Sequence, residues 1–192
     1  MTGSVLSWSI AAVLLFWAVG AYNRLMRLRA EAITAFAAVD TELTRQVDLV
    51  RTQLPPPEQT QPAPLEGEPV SFWSALHAAA TQLAATLAAA RGKPLDPERI
   101  AALSSAQDVL AMAWERAERD DAHDLAGPRL PDTVLLRRAQ WLLQAHAATE
   151  AFNEGVARYN EAIGQFPALL LAWLFGFQPA RPLPPVIVPQ LA

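Results

Sequence analysis

Residues 21–50 read AYNRLMRLRAEAITAFAAVDTELTRQVDLV, and apolar side chains recur there at steps of three and four. From Leu25 to Leu54, eight such steps cover 29 residues, about 3.6 residues per step and so one face of an α-helix. This period favours a straight bundle helix over a coiled coil, whose strict heptads have a shorter period. The core-facing stripe is predicted to be Leu25, Leu28, Ala32, Phe36, Val39, Leu43, Val47, Val50 and Leu54.

The segment before this helix predicts a membrane anchor. Residues 1–23 carry no charged side chain, and Val5–Ala21 reads VLSWSIAAVLLFWAVGA. About 20 helical residues span a bilayer core of roughly 30 Å. A secretory signal peptide would have a basic region ahead of its apolar core, which this segment lacks. We therefore expect residues 1–23 to be a retained transmembrane helix.

Three arginines follow the anchor directly: Arg24, Arg27 and Arg29. Basic residues that flank a membrane helix remain on the cytoplasmic side. We therefore expect a single-pass protein of the inner membrane, with its N-terminus outside and the helical domain in the cytoplasm. The arginines are also candidates for contact with the membrane interface.

Proline positions divide the rest of the chain. The 16 prolines leave four uninterrupted stretches, 1–54, 70–93, 98–127 and 132–166, each of which reads as a helix. Asp96 and Asp132 are the predicted N-caps of the third and fourth helices. The expected stripes of the last three helices are Phe72, Leu76, Leu83 and Leu87; Ile100, Leu103, Leu110 and Trp114; and Leu135, Leu142, Phe152, Val156, Tyr159, Ile163 and Phe166.

The fold class is therefore all-α: a transmembrane helix continuing into an antiparallel bundle of about four long helices, with the bundle domain at 24–177. Residues 55–69 hold six prolines and read as an exposed linker. Residues 178–192 hold five more and predict an extended tail. A solvated tail is the simpler interpretation, and a ligand for a proline-recognition domain is the alternative.

Two blocks of the chain resemble the LemA family. The first is residues 21–50, with Tyr22, Asn23 and Asp40. The second is FNEGVARYNEAIGQFPALLLAWLFGFQP, residues 152–179, with Asn153 and Tyr159. The resemblance implies an N-terminal anchor followed by an antiparallel bundle of long helices, and it implies no particular chemistry. After Val50 the chain departs from the family, because a proline-rich linker replaces the expected Pro-Asn-Leu-Val run and His-Glu pair.

Three aromatic-asparagine pairs accompany these blocks. An asparagine beside a core stripe can bond to a neighbouring helix and fix its register, and recognition of a ligand is the alternative. The pairs are Tyr22 with Asn23, Phe152 with Asn153, and Tyr159 with Asn160.

The segment PALLLAWLFGF, residues 167–177, is uncharged and almost wholly apolar. Eleven helical residues reach only about 17 Å, which is too short to span a bilayer. If the helices alternate in direction, this segment lies beside the membrane. It is then a core plug beneath the bundle, a second membrane contact, or a docking surface for another membrane protein. The candidate interface residues are Leu170, Trp173, Phe175 and Phe177.

Composition excludes several functions. The net charge of −4 argues against nucleic acid, and the absence of cysteine excludes disulfides and thiolate chemistry. The cluster DDAHD, residues 120–124, is the best metal candidate, but such clusters are usually solvated helix ends. No catalytic motif is present, so we expect neither an enzyme nor a bound cofactor or metal.

Two hypotheses of function remain. The first is a non-enzymatic, membrane-anchored scaffold or adaptor whose partners are the lipid bilayer and other membrane proteins. The second is an enzyme or ligand-binding bundle with a polar site around Asn23, Tyr159 and Asn160. A buried pocket where these polar groups converge would favour the second hypothesis.

Overall fold

The computed structural model describes residues 2–54, 72–123 and 131–186, with side chains at 7–54, 73–119 and 131–186. These residues form five helices and no strand, which confirms the all-α fold class. The linker 55–69 and the end of the tail lie outside the described residues. The helices are Thr2–Gln53 (α1), Phe72–Gly92 (α2), Pro97–His123 (α3), Asp132–Gly164 (α4) and Ala168–Phe175 (α5).

Helix α1 runs without interruption from the uncharged N-terminal segment into the bundle. Every member of its predicted stripe, from Leu25 to Leu54, is at most 9% exposed. The helical period therefore identified the core face correctly. Burial of the stripe begins at Leu25, immediately after the exposed Arg24.

Helix α1 packs along α4. The rings of Trp17 and Phe166 have centroids 5.0 Å apart, and those of Phe36 and Phe152 meet edge-on at 5.6 Å. The Phe36–Phe152 contact joins the two helices themselves, and the Trp17–Phe166 contact joins α1 to the turn that follows α4.

The closest approach of α1 and α4 is at Gly155. A Cβ atom on Gly155 would lie 3.1 Å from the Cα atom of Ala32 and 3.4 Å from its Cβ atom. Two backbones can come this close only where both residues are small. Gly155 and Ala32 therefore set the spacing of the two helices.

Helices α2 and α3 pack against each other, and α2 also packs against α1. Asp96 caps α3 as predicted, since its Oδ1 atom accepts the backbone N–H groups of Glu98 at 3.0 Å and Arg99 at 3.2 Å. The Arg91 Nε atom donates to Asp40 at 2.6 Å and so joins α2 to α1.

The predicted cap of α4 was misplaced by one residue. Pro131 occupies the N-cap position with extended backbone, and its side chain makes no capping hydrogen bond. Asp132 is instead the first helical residue, where its negative charge faces the positive end of the helix dipole.

The core joins all four long helices. The predicted stripe of α3 is fully buried, and the largest buried side chains include Trp73, Trp114 and Tyr159. Phe166 was wrongly predicted as core, because α4 ends at Gly164 and the ring, 67% exposed, lies beyond the helical register.

Candidate functional site

The N-terminal part of α1 presents an apolar surface. The helix is long and apolar enough to cross a membrane, and only 6% of its apolar window is buried. Trp8 is 76% exposed and Phe16 83% exposed. Neighbouring Val13, Leu14, Leu15 and Val19 are also exposed.

Helix α5 continues this surface. It buries only Ala168 and Ala172, while Trp173 is 83% exposed and Leu170 is 57% exposed. The core-plug interpretation is therefore wrong for the large side chains of this helix. The small residues of the helix face the bundle, and five of its large apolar side chains are exposed: Leu169, Leu170, Trp173, Leu174 and Phe175.

The two exposed regions meet at the turn between α4 and α5. Phe166 contacts Trp17, and the Phe175 ring lies 5.4 Å from that of Tyr22. A cleft of about 430 Å³ opens at the turn, lined by apolar groups together with Arg24 and Gln165. We call the exposed apolar residues of α1 from Trp8 to Val19, together with those of α5, the α1–α5 apolar surface.

The three arginines after the uncharged segment 1–23 have different surroundings. Arg24 is exposed, and Arg27 is exposed beside Glu31, with 3.6 Å between Nε and Oε1. Arg29 is half-buried, with its guanidinium 5.6 Å from the centroid of the Phe177 ring. Arg29 and Phe177 were both candidates for the membrane interface, but the structure pairs them with each other against the bundle.

Within each of the three aromatic-asparagine pairs, the two side chains have different surroundings. Asn23 is exposed, and Tyr22 packs against the aromatic rings of the α5 end. Phe152 lies in the core, while Asn153 and Asn160 face the chain that follows α5. Both amides of α4 are thus used on a single partner, which is the tail.

Each of the two asparagines binds both the backbone N–H group and the backbone carbonyl of one tail residue. The Asn160 Nδ2 group donates to the carbonyl of Ala180 and its Oδ1 atom accepts the N–H of Ala180, both at 2.8 Å. Asn153 makes the same pair of bonds with Leu183, at 2.8 and 2.9 Å. Between them, the two asparagines satisfy four backbone groups of residues 180 and 183.

The spacing of these bonds fits an extended proline helix. Seven residues of α-helix rise about 10.5 Å between the two asparagines. Three residues of polyproline II, one full turn, rise about 9.3 Å between Ala180 and Leu183. Both residues are buried, 5% and 2% exposed, and four of the other seven positions of the segment are proline.

Tyr159 supports the start of the tail. Its hydroxyl donates to the carbonyl of Gln178 at 3.3 Å. Burial raises the pKa of this phenol above its ordinary value of 10.0, although the nearby Arg29 acts in the opposite direction. The hydroxyl therefore stays protonated and available as a donor at neutral pH.

The tail geometry corrects two expectations. The described part of the tail, residues 178–186, is neither helix nor strand, and it is held against α4 through the buried Ala180 and Leu183 while most of its other residues are exposed. The asparagines bond to this segment rather than to a neighbouring helix. We call the strip of α4 from Asn153 to Asn160 that holds residues 178–186 the tail groove.

The proposed polar site around Asn23, Tyr159 and Asn160 is not assembled in this form. Asn23 is exposed on α1, whereas the two others are bonded to the tail. Among the residues with described side chains, no group of three or more His, Asp or Glu residues could hold a metal ion. The side chains of the DDAHD cluster, residues 120–124, lie outside the described part.

A half-buried cation between α3 and α4 was missed by sequence reasoning. Arg138 forms an ion pair with Glu118, and its guanidinium lies 5.1 Å from the centroid of the Trp114 ring. Burial lowers the pKa of Arg138, while Glu118 and Glu115 oppose the shift. An arginine on a helix surface is common, so no sequence signal distinguished this one.

Comparisons of the chain with protein-family models, with curated proteins and with solved structures give no match.

Proposed function

We propose that this protein is a membrane-anchored, LemA-like helical scaffold without enzymatic activity, which organises the bilayer or other membrane proteins. The α1–α5 apolar surface is the observation that carries this proposal. An exposed apolar area of this extent is typical of a membrane or protein interface rather than of a free surface in water.

In this arrangement the bundle has two contacts with the bilayer. The first is the apolar part of α1, which crosses the membrane. The second is α5, which lies in the interface with Trp173 at headgroup depth. The turn that holds Phe166 is beside Trp17 on α1, which supports placing α5 at the membrane end of the bundle.

The energy available to α5 is sufficient for an interfacial contact. Burying one large apolar side chain completely is worth roughly 1.5–3 kcal/mol. Five such side chains, each between 52% and 83% exposed, would together contribute on the order of 5 kcal/mol. The helix has no charged residue that would oppose its transfer to the interface.

The up-and-down order of the four long helices and the topology in the cell are part of this proposal. With α1 leaving the membrane and α4 returning, α2 and α3 complete an antiparallel bundle of the LemA type. The exposed Arg24 and Arg27 then face anionic headgroups, and the bundle lies on the cytoplasmic side of the inner membrane.

The chain offers matched pairs of residues for a direct test. Leu170 on α5 and Leu143 on α4 are 57% and 58% exposed, and Leu174 and Leu136 form a second pair at 67% and 65%. Because the chain has no cysteine, each leucine can be changed to cysteine in the full-length protein and spin-labelled singly.

In liposomes, we expect labels at 170 and 174 to collide with oxygen, which partitions into lipid. Labels at 143 and 136 should collide with a water-soluble nickel chelate instead. If all four positions show the accessibility of water, α5 makes no membrane contact and the proposal loses its main support.

A further inference from the structure

The tail groove recognises its occupant through the peptide backbone. Asn153 and Asn160 each bind one N–H and one C=O group, so most of their hydrogen bonding is independent of the side chain that is bound. Another segment of similar backbone conformation can therefore make the same four bonds.

The tail shows which sequences fit. Residues 180 and 183 must supply an N–H group, and neither is proline, whereas positions 179, 182, 184 and 185 are all proline. Proline lacks the N–H group but favours the required extended conformation. The pattern is a small residue and an apolar residue three positions apart, with prolines around them.

We propose that the tail groove is a binding site for an extended proline-rich segment of a partner protein, and that residues 178–186 are its intramolecular competitor. Because Ala180 and Leu183 are the buried side chains of the tail, we expect the partner segment to carry a small residue at the first position and an apolar residue at the second. The exposed Arg181 lies between them and is free to vary.

Attachment in the same chain explains why the groove is filled by the tail. A tethered segment competes at an effective concentration near the millimolar range. Gly176, whose φ of 68° lies in the left-handed region, ends α5 and turns the chain toward the groove. A partner segment must therefore bind tightly or be locally concentrated, as it would be at a shared membrane.

The test uses the full-length protein in detergent with its own tail released. Ala180→Glu and Leu183→Glu place charges at two buried positions and should detach the tail. The probe is a fluorescent peptide with the sequence of residues 178–186, QPARPLPPV. We expect saturable binding to the tail-released protein, at least tenfold tighter than to the unaltered chain, where the tethered tail competes.

Asparagine substitutions test whether the peptide binds in the tail groove. In the tail-released protein, Asn153→Ala together with Asn160→Ala should weaken binding at least tenfold, since each lost hydrogen bond is worth about fivefold. Asn23→Ala, at the exposed asparagine of α1, is the matched control and should change nothing. Unchanged binding after loss of both groove asparagines would overturn the assignment.

Changes in the peptide avoid any effect on folding of the protein. N-methylation at position 180 or 183 removes one N–H group and should weaken binding about fivefold or more. N-methylation at position 181 should have little effect, because neither asparagine binds that N–H group. Equal effects at all three positions would refute the proposed recognition of the backbone N–H groups at positions 180 and 183.

A second peptide distinguishes the source of the ligand. It carries the Gln178→Gly, Arg181→Glu and Val186→Gly changes and keeps the prolines, Ala180 and Leu183. Its binding supports a partner segment defined by pattern. If only the tail sequence itself binds, the partner assignment is overturned in favour of the tail of a second copy.

One further measurement is used if the tail-released protein does not fold correctly. If its helical circular dichroism differs from that of the unaltered chain, the peptide is given benzophenone at position 181 and photocrosslinked to the unaltered protein. Crosslinks to α4 support the proposal, and their absence at saturating peptide overturns it. None of these experiments requires α5 to touch lipid, so they are independent of the proposed function.

Discussion

Replacing Gly155 by alanine tests the close packing of α1 against α4. In a helix interior this change should by itself stabilise the protein by about 1 kcal/mol, because glycine is a poor helix former. The added Cβ atom, however, would lie 3.1 Å from the Ala32 Cα atom, where carbon atoms normally approach to roughly 3.5–4.0 Å. The backbone of α1 must then move, because the obstructing atom is not part of a flexible side chain.

The expected balance is a loss of stability. Overpacking of this kind costs about 1–3 kcal/mol, which offsets or exceeds the gain in helix propensity. The net change for Gly155→Ala should therefore be a loss of about 0–2 kcal/mol. Gly164→Ala is the matched control, because no atom lies within 4 Å of its added Cβ atom. It should be neutral or stabilising.

The assay is thermal unfolding of the full-length chain in nanodiscs, followed by circular dichroism. For a chain of this size, 1 kcal/mol corresponds to a change in Tm of roughly 2–4 °C. A second change, Ala32→Gly, should rescue Gly155→Ala only in part. It removes the Cβ atom at 3.4 Å but leaves the Cα atom at 3.1 Å.

If Gly155→Ala raises Tm as much as Gly164→Ala does, α1 and α4 are not in close contact at this position. Full rescue by Ala32→Gly would instead show that the Ala32 side chain, and not its backbone, limits the approach.

Three other predictions concern the tail, the half-buried Arg138 and the topology. Because the folded state raises the pKa of Tyr159, stability that depends on the neutral phenol is complete below about pH 10 and is lost as pH rises through the folded value. Unfolding at alkaline pH should thus affect the wild type more than Tyr159→Phe, and equal pH profiles would contradict this. Arg138→Ala should lower the free energy of unfolding by about 1–3 kcal/mol, because it leaves Glu118 unpaired and uncovers Trp114. Arg138→Met should lower the free energy of unfolding by a smaller amount, because its side chain still covers Trp114. Denaturant titration measures both changes. A cysteine at the exposed Met112 should react with an impermeant maleimide only after the cells are opened, and labelling of intact cells would reverse the proposed topology.

The two surfaces of the molecule have separate physical bases. The α1–α5 apolar surface depends on exposed side chains and on the solvent that meets them. The tail groove depends on backbone hydrogen bonds with fixed spacing. Changes to one surface should leave the other intact, so lipid contact and peptide binding can be measured independently.

The sequence by itself determined the helices and their core faces. The period of the apolar residues after Arg24 placed every stripe residue of α1 correctly, because burial of one helical face requires that period. Prolines fixed the helix limits to within a few residues, since they interrupt helical hydrogen bonding. The cap at Asp96 was predictable for a similar local reason.

Only the tertiary structure decided what the polar and irregular parts do. Asn153 and Asn160 were visible as a pair at helical spacing, but their partner depended on where the chain turns after α5, which local sequence does not specify. The apolar composition of α5 was equally compatible with burial and exposure, and the packing of Ala168 and Ala172 decided between them. Local periodicity determines which face of a helix is apolar, whereas the partner of that face depends on contacts between residues far apart in the chain.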